Sequence, residues 1–425
     1  MKIATVARIA VDRWFRPRLR ETYWGINALA CELARLCRPG NRAFRRLVFR
    51  DQWRFMTGSA RPVNGDTLLR MQHAVRWLLN AQSATPDGGV PLGYFPCRQE
   101  LEAWMPSYPE TTGYIITSLL AYADRFADEQ ARLAALNMAQ WEVAVQMPSG
   151  AVQGGPVCPP SRQTAAAFNT GMVLDGWCSA FQSTREPAFL EAARHAADFL
   201  VNDVDENGYF RTNGAFVSAG EIKTYTCLCA WALHRFGAAC GESRYQDAAI
   251  KVIEAALRQQ QPNGWFAHNC LTRSDAPLTH TIGYTLQGVL EVGLAAHRED
   301  FVAAARRGLD PLAARISKSG FLPGCFYSNW EPATFSSCLT GSAQIAIVCY
   351  RLYDCTGVGD YLRAGDLLLN FLKALQVLDS ENPALNGAIA GSFPIFGDYM
   401  RGGYPNWATK YFLDALLLQE RINAS

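Results

Sequence analysis

The sequence predicts an all-α protein in which six helical hairpins close into one ring. Three observations carry that expectation. The first is a recurring unit in which a helix tail rich in Gln or other polar residues meets a Gly turn with an aromatic. Its copies read AVRWLLNAQSATPDGGVPLGYF, NMAQWEVAVQMPSGAVQGG, AARHAADFLVNDVDENGYFRTNG, AAIKVIEAALRQQQPNGWF, ARRGLDPLAARISKSGFLPGCF and AGDLLLNFLKALQVLDSENPALNGAIAGSF. Their helix tails fall near Gln82, Gln146, Asn202, Gln260, Ser317 and Gln376, at intervals of 56 to 64 residues. That spacing holds a helical hairpin with long loops. The second observation is that each copy leads into an apolar helix with a polar mouth: YPETTGY, AAFNTGMVLDGW, IKTYTCLCAW, THTIGYTLQGV, SSCLTGSAQIAIV and YPNWATKYFLDAL. The third is that no stretch sustains the period-two alternation of strands. Six hairpins of one amphipathic and one buried helix close with the buried helices inside, all opening on one face. The result is an (α/α)6 toroid over residues 63–425, preceded by a basic helical extension over residues 1–62.

The extension is rich in Arg (Arg8, Arg13, Arg16, Arg18, Arg20, Arg45, Arg46) with aromatic anchors at Trp14, Phe15, Trp24 and Trp53. It reads either as a solvated cap over a core or as a patch for an anionic membrane surface or a partner in a synthesis complex. The first inner helix follows Trp104 in WMPSYPETTGYIITSLLAYADRF, with Pro and Thr as entry signals. Ile115 to Ala123 has almost no polar face, so that helix is expected to be buried all round.

Composition sets the outer limits. Of 425 residues 49% are hydrophobic and 18% charged, which describes a chain with a large core. A net charge of +2 argues against nucleic acid as a partner. The thirteen Cys lack metal-finger spacing, and Cys178, Cys227, Cys229, Cys338 and Cys349 sit in apolar helical runs. They read as reduced, buried thiols, so the expected location is cytoplasmic, or membrane-peripheral through the extension. No secretory signal or membrane span is expected.

The six-fold spacing and Gly-aromatic turns of residues 66–425 resemble the (α/α)6 toroid superfamily, which includes six-hairpin glycosidases, polysaccharide lyases, sugar epimerases and terpenoid cyclases. Within it, SYPETTGYIITSLL and YPNWATKYFLDALL are similar to segments of proteins associated with bacterial polysaccharide biosynthesis clusters. The resemblance implies a carbohydrate-active enzyme on a polysaccharide or oligosaccharide, with its site where the inner helices begin.

Cleaving a glycosidic bond takes a proton donor and a second carboxylate. Acids at the mouths are few: Glu110 in SYPETTGY, Glu331 in YSNWEPATFSS and Asp398 in FGDYMRGGYPNW. A carboxyl among aromatics holds its proton, so Glu110 is the expected acid, with Glu331 or Asp398 as partner. A uronate lyase or epimerase is the alternative and needs a Tyr or His base with groups that neutralise a carboxylate. His280 and Tyr284, one helical turn apart, could supply the base, with Asn169 and Arg401 as neutralising groups. Tyr108, Tyr225, Asn406 and Lys410 lie at mouths as substrate contacts, and Trp104, Trp330 and Trp407 as rings for sugar faces. A third reading is a glycan-binding scaffold without catalysis.

Two further signals are set aside. Gln261-Pro-Asn-Gly264-Trp265 and Asp203-Val-Asp205-Glu206 resemble terpenoid-cyclase motifs, but the acidic run leads straight into the repeat's ordinary NGYF turn. His268, Cys270 and His280 lack the ligand spacing of a zinc site. No cofactor and no metal are expected.

Overall fold

The computed structural model describes residues 34–97, 103–218 and 220–424. The described part of the extension holds one long helix, α1 (Arg42–Thr57). Six hairpins follow. Their outer helices are α2 (Thr67–Ser83), α4 (Glu129–Val145), α6 (Pro187–Asp203), α8 (Ser243–Leu257), α10 (Glu299–Ala313) and α12 (Gly359–Leu375). Their inner helices are α3 (Pro109–Phe126), α5 (Ala167–Thr184), α7 (Cys227–Cys240), α9 (Thr279–Ala295), α11 (Leu339–Thr356) and α13 (Asn406–Ala424). Each inner helix packs on the next, and α13 returns to pack on α2 and α3, which closes the ring. The fold is the expected (α/α)6 toroid.

Burial follows the sequence pattern. The outer helix α10 buries Phe301, Ala304, Ala305, Gly308, Leu309 and Leu312, the stripe of a one-sided helix. The inner helix α11 buries every residue from Leu339 to Tyr350. Connections from inner to outer helix take only two or three residues, such as Ala127–Asp128 and Gly357–Val358. Those from outer to inner helix are long and all lie on one face, the mouth. Two short antiparallel ladders cross it: β1 (Gly93–Tyr94) pairs with β4 (Tyr404–Pro405), and β2 (Ser337–Cys338) with β3 (Ser392–Phe393). Two residues per strand are too few for an alternating pattern to register in the sequence. The first ladder ties the loop of the first hairpin to that of the last.

The Gln tails of the repeat have a mechanical role. Gln82 Nε2 donates to its own turn at Gly88 O (3.0 Å) and to Ala134 O on the next outer helix (3.3 Å). Gln146 does the same to Gly150 O and Ala192 O, and Gln260 to Gly264 O and Ala304 O. Gln376 on the last outer helix donates to Gly387 O and to Arg70 O on the first, and so joins the ends of the ring. One side-chain amide with two donors satisfies two carbonyls on adjacent hairpins. Each Gly of these turns lies against the same neighbour. A Cβ at Gly387, where φ is +101°, would lie 2.0 Å from His73 O. That approach excludes any side chain.

Gly387→Ala is therefore expected to destabilise the protein by roughly 1–3 kcal/mol through strain and overpacking. Gly241→Ala, at φ +72° but with open space around its Cβ, isolates the cost of the dihedral alone. Denaturant unfolding of the two variants measures the difference; equal losses would mean that the close approach at Gly387 is unimportant.

Candidate active site

The mouths converge on a cage of aromatic rings about the ring axis. Phe168 packs on Tyr225 (centroids 5.3 Å) and Tyr284 (4.7 Å), and Tyr284 on His280 (4.4 Å) and Tyr411 (6.0 Å). Tyr411 continues to Tyr114 (5.6 Å), and Tyr399 faces His280 (5.4 Å). Trp407 Nε1 donates to the Tyr399 hydroxyl at 2.8 Å, and the Trp407 ring meets Tyr108 edge-on at 6.4 Å. The first turns of α3, α5, α9 and α13 contribute, with Tyr225 from the short turn ahead of α7 and Tyr399 from the loop ahead of α13, so the cage exists only in the closed ring.

Glu110 opens α3 inside this cage. The Tyr108 hydroxyl donates to Glu110 Oε2 at 2.7 Å, with Asn169 of α5 close to the same hydroxyl. Burial raises the carboxyl pKa from 4.5 to about 7, outweighing the Tyr108 hydrogen bond that favours the charged form. No cation contributes to that balance. Glu110 as a residue is partly rather than fully buried. The rings around it stay neutral, because burial pushes the hydroxyls of Tyr108, Tyr114, Tyr284, Tyr399 and Tyr411 well above their ordinary range.

His280 lies across the cage. Its Nδ1 is hydrogen-bonded to the Gln344 side-chain amide at 2.7 Å. Burial lowers its pKa to about 4, keeping the ring neutral at ordinary pH. Behind the cage a cavity of about 140 Å³ runs along the ring axis, lined by Tyr114, Gln287, Lys410, Asp414, Asp175 and Arg235 among others. Lys410 Nζ pairs with Asp414 at 2.7 Å and stands 4.1 Å from the Tyr411 ring centre. Its charge is thus engaged behind the cage.

The remaining sequence candidates divide by place. Asp398 and Arg401 line a cleft of about 1010 Å³ at the mouth, with Phe335, Phe396, Gln52 and Phe55. Asp398 accepts from the Thr334 hydroxyl and from Ser336 Oγ (3.4 Å), and Arg401 stacks over Phe396 (5.4 Å). Glu331 is elsewhere: it pairs with Arg315, just past the end of outer helix α10, at 2.9 Å, with its side chain 51% exposed. The Glu110–Glu331 pair expected from sequence is not brought together, because Glu331 caps a surface turn while Glu110 begins an inner helix. Trp330 packs on Trp265 (5.0 Å) and donates to Asn263 O (2.9 Å), and Trp104 packs on Trp77 and Tyr94; both rings hold turns in place. Asn406 donates to Pro91 O and Thr111 Oγ1, each at 2.7 Å, and so serves the ring closure.

Sequence reasoning missed Phe168, Tyr114, Tyr399, Tyr411 and Gln344. Tyr114 and Tyr411 each follow a named mouth residue by one helical turn, Glu110 and Trp407. An i+4 rule applied to every mouth would have found both.

No family model matches the chain, and no curated protein matches it. Solved structures do match in fold. An unsaturated glucuronyl hydrolase specific for heparin aligns at a TM-score of 0.69 and 14% identity, over 85% of this chain and 99% of that one. The unsaturated glucuronyl hydrolase of Bacillus sp. GL1 aligns at 0.65 and 15%, over 84% and 97%. A D-mannose isomerase aligns at 0.63 and 12%, over 82% and 97%. The toroid and nearly its whole extent are shared with these proteins.

The Glu110 proton has a thermodynamic signature. The folded chain holds it up to about pH 7 and the unfolded chain to about 4.5. Stability therefore declines as pH rises between those values, by roughly 3 kcal/mol at most, and Glu110→Gln removes that part of the slope. Unfolding free energies of both proteins from pH 4 to 8 test this; parallel curves would show an ordinary, solvated carboxylate.

Proposed function

We propose that this protein is a carbohydrate-active enzyme that cleaves a glycosidic bond in an oligosaccharide, with Glu110 as the acid. The observation that carries the reading is a carboxyl with a pKa near 7, hydrogen-bonded by Tyr108, inside an aromatic cage on the axis of the toroid. An acid of that pKa is still substantially protonated at neutral pH and gives up its proton readily, the match general acid catalysis requires. Glu110 protonates the leaving glycosidic oxygen as the bond to the anomeric carbon breaks. Water adds to that carbon, and its proton returns to a base. Asp398 on the cleft wall is the remaining sequence candidate for the second carboxylate. The cage rings offer apolar faces to a sugar. The likeness to unsaturated glucuronyl hydrolases directs the choice of substrate to oligosaccharides ending in a uronyl residue. The free thiols fit a reducing cytoplasm.

A second reading rests on His280. A neutral imidazole, packed at a tilt on Tyr284 in the same cage, suits proton abstraction from a sugar carbon, and a D-mannose isomerase shares the fold. In that reaction the proton leaves one carbon and is delivered to another, or to the opposite face.

Glu110→Gln is expected to lower kcat by 10²–10⁴-fold with glycan binding retained. In the wild type kcat/KM falls as pH rises past about 7, because the acid form is lost. Turnover of uronyl-terminated oligosaccharides, followed as released reducing ends, tests both statements. Deuterium entering a sugar carbon from solvent, abolished by His280→Asn and without bond cleavage, would replace the first reading by the second.

A further inference from the structure

The helix α1 has two unlike faces. Its inner face is seated on the mouth: Phe44 is buried against Tyr404 (6.2 Å) and Phe396 (6.3 Å), Phe55 meets Phe393 (5.9 Å), and Arg54 donates to Ala374 O (3.2 Å). Its outer face carries Phe49, Trp53 and Met56, exposed by 66%, 63% and 65%. These are the three most exposed large apolar side chains among the described residues. Their i, i+4, i+7 spacing puts them on one stripe, and Arg46 and Arg42 continue it about one and two turns toward the N-terminus with Arg50 beside it. All three Arg are exposed or nearly so, although Arg46 also pairs with Glu381 across the surface.

We propose that this stripe docks the protein on an anionic lipid bilayer, with Phe49, Trp53 and Met56 entering the interface and Arg42, Arg46 and Arg50 meeting headgroup phosphates. Three arguments select this occupant. Large apolar side chains on a seated helix need an apolar phase, which a polyanion in water does not supply. A second copy packed parallel on the stripe would bring Arg42, Arg46 and Arg50 near their own counterparts, at a like-charge cost. The charge is also localised: residues 1–62 hold fourteen of the chain's 40 Lys and Arg but only four of its 38 acids, so the remainder is net acidic and an anionic surface attracts this end alone. Residues 1–33 lie outside the described residues, and their sequence continues the same basic character. Because Gln52 and Phe55 of α1 also line the mouth cleft, docking holds that cleft beside the bilayer.

The test is co-sedimentation of the full chain with phosphatidylcholine vesicles, with and without phosphatidylglycerol. Binding is expected only where phosphatidylglycerol is present and is expected to weaken steeply with added salt, a measurement that requires no variant. Phe49→Ser with Trp53→Ser is expected to weaken binding about tenfold or more, and Arg42→Gln with Arg50→Gln about fivefold per Arg. An unchanged thermal midpoint confirms that these exposed substitutions leave the fold intact. Equal binding to both vesicle types, or none to either, would overturn the proposal. So would a dimer seen by light scattering that Trp53→Ser dissolves, because the stripe would then belong to a second copy.

Discussion

The toroid depends on one repeated contact, in which the tail of each outer helix grips its neighbour. At four of the six joints a Gln amide donates to its own turn and to the next helix, and Gln376 completes the circuit by reaching Arg70 O. At three of these joints the Gly beside it permits the approach, because a Cβ at Gly150, Gly264 or Gly387 would strike the neighbouring backbone. A hydrogen bond contributes only about 1 kcal/mol net, but leaving two buried carbonyls unpaired costs more. The contact therefore specifies the angle between hairpins more than it stabilises any one of them. A closed ring needs the same angle six times.

The closed ring creates the chemical environment of Glu110. Its carboxyl is surrounded by rings from α3, α5, α9, α13 and the turn ahead of α7, none of which is its neighbour in sequence beyond Tyr108 and Tyr114. Two effects oppose each other at that carboxyl. The Tyr108 hydrogen bond stabilises the charged form, and desolvation penalises it; desolvation wins and leaves the pKa near 7. The same burial holds His280 neutral and the cage tyrosines protonated, so the cage itself carries no fixed charge. The nearby cation, Lys410, is neutralised by Asp414. A single titrating acid in an uncharged cage follows from that arrangement.

The extension modifies this site from outside. Helix α1 is held by Phe44 and Phe55 against the loop that precedes α13, and it lends Gln52 and Phe55 to the cleft wall. It belongs to the same core as the ring while presenting an apolar stripe to the exterior. The mouth and the basic end of the chain are thus parts of one surface.

The ring is legible in the residues alone. Gln and Gly recur at hairpin intervals because a local turn and one neighbour contact require them, and local requirements leave local signatures. The sequence also placed Glu110, His280 and Trp407 at the mouth, because helix starts are legible from Pro, Thr and the onset of an apolar run. Only the tertiary structure decided which mouth residues meet. Glu331 reads like Glu110, an acid beside Trp and Pro, yet its loop carries it outward to Arg315. Asn406 reads like a sugar ligand, yet its amide nitrogen is spent on Pro91 and Thr111 and only its Oδ1 stays without a partner. Tyr114 and Tyr411 lie within the mouth segments without standing out there, and they line the cage and the cavity behind it. The physical reason is range: a helix start is decided by a few adjacent residues, whereas the direction of a side chain within the bowl depends on helices nearly 300 residues apart.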